Sequence, residues 1–262
     1  MRSRLLIAGA LTGALLTMAC SVRWNTGDEG VAPSPAPVVS ADAATTASVV
    51  DLLRKGTKFI DETSFRTDVD ISGGQVTTRS HRDNPRKRGD ALISFAGKDT
   101  EIRMVDEAVY MKSEQLKGVG DGWLSLDPAK VPASFELTFA AGKNDPGGSA
   151  RLLNAIVTAE IDKTVTSGTE INGTMDLSKV GSGNGISFRL TRGQDFPEAM
   201  KHHPFSASLD AQGRLIRFMI PASGGAPSAS LRYSDFGAPV AVSPPTGATR
   251  APDALYAQLG LQ

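Results

Sequence analysis

The chain of 262 residues holds one cysteine, three histidines and no excess of charge, with 28 basic and 28 acidic residues. A single cysteine excludes an internal disulfide framework. Three histidines, His81, His202 and His203, without a second cysteine and without His-x-x-x-His spacing make no metal site. Charge balance gives no support for nucleic acid as a partner, since such domains usually carry a basic excess. Aromatic residues are scarce at 6%, so few large rings fill the core that a 40% hydrophobic chain can form. No Gly-x-Ser-x-Gly elbow and no phosphate-binding P-loop occur. Asp68, Asp70 and Glu101 alternate with apolar residues, which places them on the wet side of strands rather than in a carboxylate pair. The chain therefore reads as a non-enzyme that needs no cofactor.

What is present begins with an address. Met1–Arg4 is positive, and Leu5–Ala19 is apolar apart from two threonines. Fifteen residues are too few for a comfortable membrane span and suit a secretory signal peptide over 1–19. Ala19 directly precedes the lone Cys20, whose thiol is read as the acceptor of a diacylglyceryl group after cleavage. Thr17 stands three residues before it, where a lipobox prefers leucine. Pro33, Pro35 and Pro37 lie among small residues, so 20–44 reads as a lipidated tether. The expected location is extracytoplasmic, on the cell membrane.

Thr45–Asp61 carries a helical stripe of Val49, Val50, Leu52, Leu53, Phe59 and Ile60, with Gly56 weakening its middle. Short strands follow. Phe65, Thr67, Val69 and Ile71 alternate with charged residues, and 75–81 is a polar strand before a charged turn over 82–89. Ser149–Glu160 is predicted as a second helix from Leu152, Leu153, Ile156 and Val157. Phe205–Ile220 is a hairpin whose turn is Asp210–Gly213, with Ile216, Phe218 and Ile220 on one side of the return strand. The last predicted strand is 228–236. Residues 252–261 are either a short helix or a frayed tail. Helix, strands, helix, strands is an α+β pattern with a large antiparallel sheet.

Several stretches recur in a family order: 107–112, 122–128, 173–179, 209–215 and 233–240, after the cysteine, tether and first helix. Across about residues 45–245 the chain resembles the actinobacterial LolA-like lipoproteins of the LppX/LprG type. The resemblance implies a curved sheet, a half-open β-barrel, with helices on its concave face. It also implies a cavity for acyl chains of a lipid or lipoglycan, a role as carrier or chaperone, and a possible envelope transport protein as partner. The tail 246–262 lies outside the resemblance. The unit is expected to be monomeric.

The candidate site is apolar. Phe65, Val69, Ile71, Ile93, Phe95, Ile102, Met104, Val109, Met111, Ile186, Phe188, Leu190, Ile216, Phe218 and Ile220 would line one side of the sheet. The same residues would equally make a filled core in a structural or interaction lipoprotein. Arg82, Arg86, Lys87 and Arg88 form a basic turn, either plain solvated surface or a contact for anionic head groups.

Overall fold

The computed structural model describes residues 21–24, 43–116, 118–131, 149–180, 187–190 and 196–259. The proposed signal peptide, Cys20 and most of the tether lie outside them. No helix among the described residues is long and apolar enough to cross a membrane.

In chain order the elements are β1 (Ser21–Trp24), α1 (Ala43–Glu62), β2 (Ser64–Ile71), β3 (Val76–Asp83), β4 (Arg88–Phe95), β5 (Lys98–Val105), β6 (Ala108–Ser113), β7 (Leu124–Ser125), α2 (Ser149–Asn154), β8 (Ile156–Val165), β9 (Gly168–Met175), β10 (Ser187–Leu190), α3 (Glu198–Lys201), β11 (His203–Asp210), β12 (Leu215–Ile220), β13 (Ala229–Ser234), β14 (Thr249–Arg250) and α4 (Asp253–Gln258). Twelve strands form one open sheet in the order β14-β7-β6-β5-β4-β3-β2-β13-β12-β11-β9-β8. Its end strands do not pair with one another, so it is not closed into a barrel. Every pairing is antiparallel except β14 with β7. β1 and β10 form a separate parallel pair.

The antiparallel α+β class read from periodicity is the observed one. Alternation along β2 puts Phe65, Thr67, Val69 and Ile71 on the buried face and Arg66, Asp68 and Asp70 on the other. The predicted second helix is mostly strand: α2 stops at Asn154 and β8 starts at Ile156. Val157, Ile161, Thr164 and Val165 are β-branched and favour the extended state. Thr46 Oγ1 on α1 accepts the Ala159 N–H at 3.2 Å, which ties β8 to the first helix. The 252–261 stretch does form helix, and its Leu255, Tyr256 and Leu259 are buried. A boundary at residue 245 therefore falls inside the packed unit.

The buried face divides into two apolar clusters. One gathers Val49, Leu53 and Ile60 of α1 with residues of β2, β9, β11, β12 and β13. The other gathers residues of β4, β5 and β6 with Leu255, Tyr256 and Leu259 of α4. Each half of the sheet thus has its own helical cover. Gly56 permits the first: a Cβ there would sit 2.8 Å from the Gly213 carbonyl oxygen. Glycine in the middle of α1 costs helix propensity but lets the helix lie directly on the β11–β12 turn.

Candidate functional site

Phe65, Val69, Ile71, Phe218 and Ile220 fall in the α1 cluster; Ile93, Ile102, Met104, Val109 and Met111 fall in the α4 cluster. The apolar side predicted as one surface is therefore two. Strand β3 separates them, because its inward positions after Val76 are Thr78, Ser80 and Arg82. Register shows the break: Tyr233, Thr67, Ser80, Ala91, Ile102, Met111 and Leu124 are successive partners across seven strands. The row is large at both ends and small in the middle.

Five predicted residues remain. Phe95 is 45% exposed, because it shares the face of Ile93 but lies at the strand end beside the Gly97 turn, beyond the cover. Ile216 is only half-buried. The β11–β12 ladder pairs Ser208 with Arg217 and Leu209 with Leu215, so Ile216 is the extra residue of a bulge. Leu215, fully buried, takes its inward place. Phe188 and Leu190 belong to β10, outside the large sheet, and their side chains and all of Ile186 fall outside the described residues.

The basic turn also divides. Arg82 is not part of a solvated tip: β3 runs on to Asp83, alternation turns Arg82 inward, and it is 6% exposed. Arg86 is exposed and pairs with the buried Asp83 at 2.9 Å. Lys87 and Arg88 are exposed. Asn84 Nδ2 donates to the Ile60 carbonyl at 2.7 Å, which fixes the turn against the end of α1.

Sequence reading missed the α4 contribution, although its signal, Leu255 with Leu259, was present at helical spacing. It also missed the role of His203. This residue opens β11, is 1% exposed, and its Nε2 lies 2.8 Å from the Pro221 carbonyl. Burial pushes its pKa below the ordinary value, and the Pro221 carbonyl opposes that only in part. Among the described residues no three His, Cys, Asp or Glu side chains are grouped to hold a metal ion.

The outward face is polar and grooved. One groove, about 440 Å³, is lined by Asp68, Asp70, Arg79, Ser94, Ser230 and Arg232 among others. A second, about 420 Å³, is lined by His81, Asp90, Glu101, Arg103 and Trp123, and shares Arg79 and Leu92 with the first. Arg103 stacks over the Trp123 ring at 4.7 Å.

An open sheet with one covered apolar face and one charged face defines an α+β protein. No protein-family model matches the chain, and no curated protein matches it. Among solved structures it is similar to the lipoprotein LppX of Mycobacterium tuberculosis, with 14% identity, 75% of this chain and 99% of that chain covered, and a TM-score of 0.46. It is also similar to a DUF1329 family protein of Desulfovibrio piger, with 10% identity, coverage of 76% and 95%, and a TM-score of 0.26.

Proposed function

We propose that the chain is a cell-envelope lipoprotein, acylated at Cys20, that holds acyl chains of a lipid or lipoglycan against the inward face of its sheet. The observation that carries this reading is the interrupted apolar face. Two clusters, each under its own helix, flank a seam at Thr67 and Ser80, bordered by the small Ala91 of the second cluster. A seam of this kind can open without breaking either cluster. Burial of an acyl chain there contributes about 0.8 kcal/mol per methylene, so binding needs no specific polar contact. The order of motifs shared with the LolA-like lipoproteins supports the same reading. The function is shelter: the sheet replaces the membrane while the lipid crosses water, and no bond is made or broken.

A second reading is an interaction lipoprotein with a filled core. It is favoured by the stacked Phe205 and Phe218 rings, 5.0 Å apart and 3° from parallel, which fill the α1 cluster. Thr67→Trp and Ser80→Trp, at the seam itself, separate the two. Overfilling a packed interior costs roughly 1–3 kcal/mol, whereas an indole in ligand space displaces acyl chains at little cost in stability. Displacement of a fluorescent fatty acid and thermal unfolding measure both. Unaltered binding with a large loss of stability in each variant rejects the carrier reading. For the anchor, Cys20→Ala is expected to move the protein from the membrane to the soluble fraction; an unchanged mass and fractionation reject acylation.

A further inference from the structure

The outward face carries an arrangement that the acyl-chain reading does not use. Arg217 on β12 and Arg232 on β13 are direct cross-strand partners, and both are exposed. Like charges directly opposite one another on a sheet destabilise it. Neither arginine makes an ion pair among the described residues. Arg232 also faces Asp68 across β2, but that carboxylate is already taken. It accepts from Arg66 Nε at 3.0 Å and Nη2 at 3.2 Å, and from Arg79 Nε at 3.2 Å. Burial pushes the Asp68 carboxyl up, yet the hydrogen bonds of the two arginines outweigh it and hold it below its usual range. Of the other nearby acids, Asp70 accepts the Gly74 N–H, and Glu170, beyond Ser208, accepts from the Ser208 hydroxyl. Four arginines thus share this part of the face with three carboxylates that are already engaged.

Asp68 displays what an anion receives here: two guanidinium groups from adjacent strands. The same offer stands unfilled one strand further on. The groove that Asp68 and Asp70 line also brings Arg79 and Arg232 together with Ser230 and Ser94. Planar guanidinium forks match the oxygen geometry of phosphate in bidentate fashion, and charge-assisted hydrogen bonds are the stronger kind.

We propose that Arg217 and Arg232, with Arg79 across the groove, form a binding site for a phosphate group on the outer face of the sheet. Because Leu231 and Tyr233 flank Arg232 and point into the buried cluster, the site faces away from the apolar seam and stands or falls separately from acyl-chain binding.

The test uses the full-length Cys20→Ala chain, which lacks an acyl anchor. Inorganic phosphate is titrated by calorimetry against chloride of equal ionic strength, and sedimentation is measured with vesicles of phosphatidylglycerol or of phosphatidylcholine. Phosphate is expected to bind and to raise the unfolding temperature. Arg217→Ser with Arg232→Ser should weaken binding about tenfold or more, while Lys98→Ser, an exposed cation at the start of β5, should leave it unchanged. Arginine-dependent binding to phosphatidylglycerol vesicles but not to free phosphate assigns the group to a lipid head. If the double serine variant fails to fold, Arg217→Lys with Arg232→Lys retains the charges without the forks and should still bind more weakly. Binding of neither probe, or binding that survives the serine or the lysine pair at full strength, overturns the site.

Discussion

Gly56 of α1 and Gly213 of the β11–β12 turn meet so closely that a methyl group on Gly56 would lie 2.8 Å from the Gly213 carbonyl oxygen, and equally close to Leu209 Cδ2. The contact sets where the first helix crosses the sheet. Gly56→Ala gains up to about 1 kcal/mol of helix propensity and incurs an overpacking cost of roughly 1–3 kcal/mol. Net destabilisation is expected in urea unfolding. A more stable variant would mean that helix and turn are not in contact.

The C-terminal helix offers a second test. Leu255 is fully buried, and the Asp127 N–H donates to the Tyr256 hydroxyl at 2.7 Å. Leu255→Ala should cost about 2–5 kcal/mol and Tyr256→Phe about 0.5–1.5 kcal/mol. Ending the chain at residue 245 should uncover the α4 cluster and increase binding of an apolar dye. Truncation without effect on unfolding would return this segment to a tail.

His203 gives the acid limb of stability. Its folded pKa lies below that of an unfolded histidine, near 6.5. Above that pH both states are neutral and the group has no effect. As pH falls through about 6.5, the unfolded chain takes up a proton that the folded chain refuses. Stability then falls with a slope of at most about 1.4 kcal/mol per pH unit until the folded pKa is reached. His203→Asn should flatten this part of a stability–pH curve measured by chemical denaturation between about pH 7 and 5. An unchanged slope would assign it to other groups.

The basic turn should respond residue by residue. Lys87→Ser with Arg88→Ser should leave unfolding within about 0.5 kcal/mol of wild type, as exposed substitutions do, and should weaken binding of the Cys20→Ala chain to anionic vesicles if the turn meets head groups. Arg82→Ser should cost more stability, because its guanidinium is buried between the clusters. Equal effects of both changes on vesicle binding would contradict the division of the turn.

How far the sequence could be read depends on the range of the interaction. Alternation in 64–71 is local, and β2 formed with the expected face inward. Ile216 turns out of the expected face because of a bulge, a mismatch between two strands that one strand alone does not display. Arg82 looks like a turn residue in sequence because charged residues precede Asn84-Pro85, whereas β3 continues past it to Asp83. Ile156 and Val157 fit both a helical stripe and a strand, and the strand is seen only in the pairing of β8 with β9, Ile156 opposite Met175. The Arg217–Arg232 pair likewise exists only once β12 and β13 are in register.

The strand order carries a consequence for how the molecule is made. β2 pairs with β3 locally on one side, but on the other with β13, whose residues Ala229–Ser234 are synthesised much later. Until those residues leave the ribosome, β2 is a bare edge bearing Val69 and Ile71 with unpaired backbone groups, the kind of edge that recruits stray strands. Pairing of such sequence-distant strands is slow. The nascent chain therefore passes through a long interval in which its first half is a sticky half-sheet, and substitutions that slow β12–β13 formation should lower yield through aggregation while barely changing the properties of the molecules that finish folding.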